Sequence, residues 1–421
     1  MSVISVIRRI AVAVLACGTF AGCSEPTDAS KAAQPVITSL PRALSGDEQI
    51  AATATTDFGL ALFRAVNARS ARGENLALSP ISASLALGML MNGAEGETLD
   101  QVRRTLGFGV RQVTNVNAAY AALMPLLTTL DPTVKMTFAN AAWFDTSASA
   151  SATFTQALSS TFGARVASAP LLDPATPAAI NAWVSGATNA RIPKMVDRFE
   201  PGDIAYLINA TYFKGQWRAQ FDAAKTQPAD FSVATGRVVR VPTMSNLDSP
   251  LRLSRLPDGT QLGEMPFGGD AFVMSFVMPP LGTLEAAIDS LTPARWRGMV
   301  ASLPTATQKM PVLLPKFRIE VQRELKNDLA SLGMPRAFVD AQLAPMFARP
   351  QGRVAVTSVL QRVFVDVNEE GAEAAAATGI TIGVTSVPLG LYLDHPFLFV
   401  IRERLSGTIL FIGKVVQPVA P

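Results

Sequence analysis

The spacing of apolar positions divides the chain into a helix-rich first half and a strand-rich second half. Residues 51–67 place Phe58, Leu60, Leu62, Phe63 and Val66 at helical intervals, the repeat that turns one apolar face to a core. Asn75-Leu76-Ala77-Leu78 reads as a short buried strand. Ser79-Pro80 supplies the cap and first-turn proline of a helix. That helix, over 81–92, is apolar nearly all round and is therefore expected at the centre of the fold. Further helices are predicted over 97–106, 116–127, 152–160 and 175–188, with a strand over 134–143. Strands follow over 205–213, ending in Gly215-Gln216-Trp217, and over 231–244 with a turn at Gly236. A hairpin is predicted from 261–267 and 272–278 across Gly268-Gly269-Asp270. Residues 284–300 read as a broken helix, 310–321 as one strand, and 325–332 as a helix ended by Gly333. Residues 353–367 read as one long strand, and 397–401 with 408–412 as an apolar hairpin around Ser406-Gly407. Without βαβ alternation this is an α+β pattern. No internal repeat or interior linker interrupts it, so one domain is expected over 48–421.

One connection breaks the pattern. After Val363-Phe364-Val365-Asp366-Val367 the chain leaves the strand repeat and regains it only near Phe397. Loops longer than about 12–15 residues are uncommon in compact domains and are usually functional or disordered. Asn368-Glu369-Glu370-Gly371 opens this one, followed by Ala372-Glu373-Ala374-Ala375-Ala376-Ala377-Thr378-Gly379 and Ile380-Thr381-Ile382-Gly383-Val384-Thr385-Ser386-Val387. Small residues stand where solubility would favour charge, and β-branched ones where flexibility would favour glycine. It reads as a loop able to become a strand. On a strand, alternate side chains face opposite ways. Ala372, Ala374, Ala376 and Thr378 share one face, small and uncharged, which can enter a packed sheet without a buried charge. Glu373 falls on the other face with Ala375 and Ala377. Gly371 gives backbone freedom at the turning point, and residues 371–387 contain no proline, so every ladder donor is kept.

Composition narrows the chemistry. The 421 residues are 49% hydrophobic and 16% charged, enough for a large core. Residues 1–22 resemble an export signal: Arg8 and Arg9, an apolar run from Ile10, then Phe20-Ala21-Gly22-Cys23. The run is too short to span a bilayer. Small residues before a cysteine resemble a bacterial lipoprotein processing site, with Cys23 as the lipidated first mature residue and residues 24–47, rich in Ser, Ala, Pro and Thr, as a flexible tether. An exported outer-membrane or cell-surface lipoprotein is expected, with a periplasmic or extracellular protein as the alternative and the lipid as the only membrane contact. Removing Arg8 and Arg9 leaves 34 basic against 33 acidic residues, a balance that argues against capture of nucleic acid.

Both cysteines, Cys17 and Cys23, fall in or beside the signal, so the mature chain carries no disulfide and no thiolate nucleophile. His395 is the only histidine. A Ser-His-Asp hydrolase would need it as base and a metal site seldom rests on one. The expectation is a non-enzyme with no cofactor and no metal.

Seven segments in order resemble the serpin family: Asn75-Leu76-Ala77-Leu78-Ser79-Pro80-Ile81-Ser82; Asn92-Gly93-Ala94-Glu95-Gly96-Glu97-Thr98; Ile180-Asn181-Ala182-Trp183-Val184 with Thr188-Asn189-Ala190-Arg191-Ile192-Pro193; residues 207–217; Leu314-Pro315-Lys316-Phe317; Val367-Asn368-Glu369-Glu370-Gly371; and Asp394-His395-Pro396-Phe397. The resemblance implies three β-sheets, eight or nine helices and an exposed reactive-centre loop that a target serine protease takes as substrate. The cleaved loop would then enter the large sheet as a new strand and drag the acyl-enzyme away, a suicide-substrate inhibition. The alternative is a non-inhibitory member acting as a carrier or interaction module. A monomer is expected.

The resemblance places the cut 14 positions beyond the hinge glycine and 11 before the proline of the final strand; from Gly371 and from Pro396 both counts reach Thr385. The predicted bond is Thr385–Ser386, with Val384–Thr385 as the alternative. A small β-branched bait suits a shallow apolar pocket, as in elastase-like proteases. Residues 381–387 hold neither Arg or Lys nor a large aromatic, which disfavours trypsin-like and chymotrypsin-like targets. The resemblance also makes Ser79, Ser82 and Asn209 a polar cluster under the parting sheet, with Gln361 where many members carry histidine, and Trp217 the residue where insertion begins.

Overall fold

The computed structural model describes residues 35–371 and 388–420, and residues 36–420 belong to one compact body. The first helix, α1 (Gly46–Arg69), starts at a capping box in which Ser45 and Glu48 satisfy each other's backbone N–H. Strand β1 (Leu76–Leu78) leads into α2 (Pro80–Asn92), whose N-cap Ser79 accepts from Ser82 N–H and which is buried along most of its length, as its all-round apolarity requires. Helices α3 (Gly96–Thr105) and α4 (Val113–Thr129) follow, then β2 (Val134–Asp145), α5 (Ala152–Phe162), β3 (Arg165–Ala169), α6 (Ala175–Ala187) and β4 (Ala205–Gly215). The second half carries β5 (Gln227–Ala234), β6 (Arg237–Arg255), β7 (Gln261–Pro266), β8 (Phe272–Met278), α7 (Leu284–Asp289), α8 (Pro293–Ala301), β9 (Gln308–Pro315), β10 (Phe317–Glu324), α9 (Lys326–Ser331), β11 (Leu360–Val367), β12 (Leu391–Tyr392), β13 (Phe397–Glu403) and β14 (Ile409–Val415).

The strands build three sheets. One runs β1-β14-β13-β8-β7-β6 and lies in the main core. The long strand β6 continues it into a second, because its residues 252–255 pair with β7 while 243–251 pair with β9 and 237–243 with β5; β12 closes that side, parallel to β9. The third is in two parts, β3-β2-β4 and β10-β11. Helix α6 lies on the β2–β4 part, burying Ile180 and Val184 among Ala141, Trp143, Ile208 and Ala210.

Four expectations change in three dimensions. Residues 310–321 are two strands: the chain leaves one sheet at Lys316, whose N–H goes to Pro242 O, and enters another as β10. The long strand expected over 353–367 begins only at Leu360, because Val356 N–H bonds to Ala337 O and leaves the sheet no partner for the preceding stretch. Strand β3 escaped prediction; five residues of mixed burial carry no clear alternation. Residues 36–47, assigned to the tether, belong to the folded body: Ile37, Leu40 and Leu44 pack on the core and α1 begins at Gly46.

Candidate functional site

The two parts of the third sheet meet at β4 and β11. Among the described residues no ladder joins these strands; one isolated bridge, Gln216 to Gly371, links them at the top. A cavity of about 110 Å³ lies between them at the lower end, lined by Ser82, Leu87, Asn209, Tyr206, Phe347 and Gln361. A smaller one of about 20 Å³ lies higher, between Thr211-Tyr212-Phe213 and Phe364-Val365-Asp366. Each strand has its partner on the outer side, β2 or β10, so the N–H and C=O groups of the inner edges point toward the other strand across unladdered space. Facing edges of this kind are templates for an added strand.

The top of this seam is held by residues that the sequence only partly singled out. Gly371 has φ 148°, and a Cβ there would lie 2.0 Å from Gly215 O, so only glycine allows the crossing. Trp217 is buried and donates twice to the hinge: its N–H to Glu370 O (2.7 Å) and its Nε1 to Asn368 O (2.9 Å). Phe221 N–H donates to Glu369 O (2.8 Å). Glu369, quoted above only as part of a motif, is the anchor: its carboxylate takes Lys316 Nζ at 2.9 Å and Thr226 Oγ1 at 2.7 Å. Burial alone would raise its pKa, but these two donors outweigh it and hold the carboxyl below the usual range. Two adjacent acids before a hinge glycine were the available signal; which of them would find a lysine on another strand was not in it.

Lower down, the polar cluster is two pairs, not one. Gln361 closes a ring with the Ser79 backbone, its Oε1 accepting from Ser79 N–H (3.0 Å) and its Nε2 donating to Ser79 O (2.9 Å), while Ser79 Oγ donates to Leu410 O (2.8 Å). Ser82 Oγ reaches Asn209 O at 3.5 Å, and the Asn209 amide turns instead to Asn140 Oδ1, whose own amide donates to Phe162 O. Gln361 thus ties β11 to the N-terminus of α2, and Asn209 ties β4 to β2. The expected hinge residues Ala372, Glu373, Ala374, Ala375, Ala376, Ala377 and Thr378, the bond residues Val384, Thr385 and Ser386, and Cys23 lie outside the described residues.

His395 stands apart from the seam. Its Nδ1 faces Asp394 Oδ1 (2.6 Å) and its Nε2 faces Pro279 O (2.8 Å). Both partners are acceptors, so the imidazolium alone satisfies both nitrogens. Burial by itself would lower its pKa; the two hydrogen bonds and the Asp394 charge prevail and raise it.

With this geometry in place, comparison with known proteins gives a consistent result. The Serpin (serine protease inhibitor) family model matches residues 53–418. A Drosophila melanogaster serine protease inhibitor is 32% identical over 83% of this chain and 93% of its own length. Human neuroserpin is 30% identical over 82% of this chain and 86% of its own. The crystal structure of human kallistatin superposes with a TM-score of 0.80 at 25% identity, covering 90% of this chain and all of that one. The chain belongs to the serpin family.

Proposed function

We propose that this chain inhibits a serine protease as a suicide substrate: the protease cuts Thr385–Ser386, or Val384–Thr385 on a one-residue slip, and residues 372–378 then enter between β4 and β11. The observation that carries the reading is the pair of facing strand edges, joined among the described residues by no ladder and held at the top by the Gln216–Gly371 bridge and the Trp217 and Phe221 hydrogen bonds. Gly371 stands at its head, and the next residues along the chain carry a face small enough to fill it. The seam spans the whole length of β4, which a bait loop that is only cut would not need. The target is an elastase-like enzyme, because Thr385 is small and β-branched and its neighbours Ile382, Gly383 and Val387 are uncharged. A lipid on Cys23 would hold the inhibitor at a membrane through the tether, with the exported soluble form as the alternative.

The test is to mix the mature protein with pancreatic elastase at equal concentration. A band at the summed mass that survives boiling in detergent, with the loop cut after Thr385 or Val384, is the expected result. Complete cleavage without that band would make the protein a substrate, and the carrier or interaction-module reading would take its place.

A further inference from the structure

Residues 36–44 cross the body from the β7–β8 turn to α1, and both ends are fastened. At the α1 end Arg42 Nη1 lies 2.8 Å from Glu48 Oε2, and the same oxygen accepts Ser45 N–H at 2.7 Å. At the other end Ile37 N–H donates to Gly269 O at 2.7 Å, and Arg404 Nη2 donates to Ile37 O at 2.9 Å. Between them Leu40 and Leu44 pack on the core.

The turn they reach is unusual. Gly268 has φ 41° and Asp270 φ 71°, the second a conformation that costs a non-glycine residue of order 1 kcal/mol. Asp270 is kept there by buried Arg252, whose Nη1 lies 2.9 Å from Oδ1, while Arg404 Nε donates to Asp270 O at 2.9 Å. A side chain on Gly269 would collide with Ile37 Cδ1 at 2.8 Å and with Asp131 Oδ2 at 2.9 Å, so the turn is shaped around the crossing segment. From the turn the path to the hinge is short. Gly268 N–H donates to Gln216 O (2.9 Å), Arg218 Nη1 donates to Gly268 O (2.8 Å), and Phe267 stacks flat on Trp217 with ring centres 4.6 Å apart and planes 12° apart.

We infer that residues 36–44 are a strap that restrains the head of the seam and sets the rate of loop insertion. The inference rests on the insertion reading above. A strand can enter only when the Gln216–Gly371 bridge opens and Trp217 releases Asn368 and Glu370. Trp217 moves only if Phe267 yields with it, and the turn that carries Phe267 is held by Ile37 on one side and Arg404 on the other.

The experiment follows intact mature protein as it converts on warming into a urea-resistant, loop-inserted form, resolved on native gels. Ile37→Pro removes the N–H that reaches Gly269 together with the side chain against it; conversion should be faster by about tenfold, the effect of losing one hydrogen bond and its packing. Ile37→Ala, a milder change should the proline variant not fold, is expected to move in the same direction. Arg404→Lys, which cannot span Ile37 O and Asp270 O together, should accelerate conversion too. Val110→Ala, in the exposed turn between α3 and α4 and outside the strap and its contacts, should leave it unchanged. After the loop is cut, parent and Ile37→Pro protein should melt at the same temperature, because an inserted sheet no longer needs the restraint. Unchanged conversion by Ile37→Pro, or an equal loss of stability in cut and uncut forms, would overturn the strap and leave insertion standing. Failure of the parent itself to gain heat resistance when cut would overturn insertion and the strap together.

Discussion

At the scale of single residues, an ion pair adds a side-chain tie to the backbone bonds that hold residues 368–371. Glu369 is the side chain through which residues 368–371 are fixed to β9–β10, because Lys316 sits where the chain passes from one sheet to the other. Glu369→Gln keeps the shape but leaves the Lys316 ammonium, only partly exposed, without its counter-charge. Losing a hydrogen bond to a charged partner costs about 2 kcal/mol, and the unfolding free energy obtained from urea titration should fall by that amount. Adding Lys316→Met should recover part of the loss, since a pair in contact is not additive. A double variant that loses the full sum of the two single losses would show that the pair is not coupled. Lys316, Phe317 and Glu369 were legible as motif letters in the sequence; their contact was not, since it joins positions more than fifty residues apart.

At the scale of elements, the alternation of faces does the explaining. The stretch proposed to insert has Ala372, Ala374, Ala376 and Thr378 on one side, and the upper part of the seam next to Gly371, which would receive it first, is lined by Phe213, Phe364, Ile401 and Phe411. An arginine on that side would have to be desolvated without a partner. Ala374→Arg protein should therefore fold, be cut by elastase and release it, with turnover in place of a detergent-stable band. Inhibition at the parent's stoichiometry would place Ala374 on the opposite face. The same alternation, read over 310–321 and 353–367, predicted one strand where the structure has two and a long strand where it has a short one. Periodicity reports that side chains alternate in burial; it does not report which partner supplies the ladder, and at Lys316 and Leu360 the partner changes.

At the scale of the whole molecule, pH should act through three groups whose partners lie on different segments. Arg42 holds the Glu48 carboxyl down at about 2, from an ordinary 4.5, and Lys316 lowers Glu369 despite its burial. Groups lowered in this way add stability above their unfolded value, which is lost as pH falls through the folded one. His395 is raised above 6.5 by Asp394 and Pro279 against the effect of burial. Its contribution is complete below that value and is lost as pH rises through the folded pKa. All three act together between about pH 4.5 and 6.5, and the midpoint of urea unfolding should decline as pH rises above about 6.5. His395→Gln, which can still donate to Pro279 but carries no charge for Asp394, should flatten that decline. A parent profile already flat across this range would mean that His395 is not charged in the folded protein.

The amino-acid sequence by itself determined the class of fold, the order of nearly all helices and strands and the glycine at the head of the long connection, because each of these depends on residue type and near-neighbour spacing. Tertiary structure decided that β4 and β11 stand as neighbours without a ladder, that Glu369 meets Lys316, that Gln361 turns to Ser79 and Asn209 to Asn140, and that residues 36–44 lie against the turn beside Trp217. Those are contacts between distant segments. They are selected by how large apolar faces pack and by which buried polar group finds a partner, and no local pattern carries that choice.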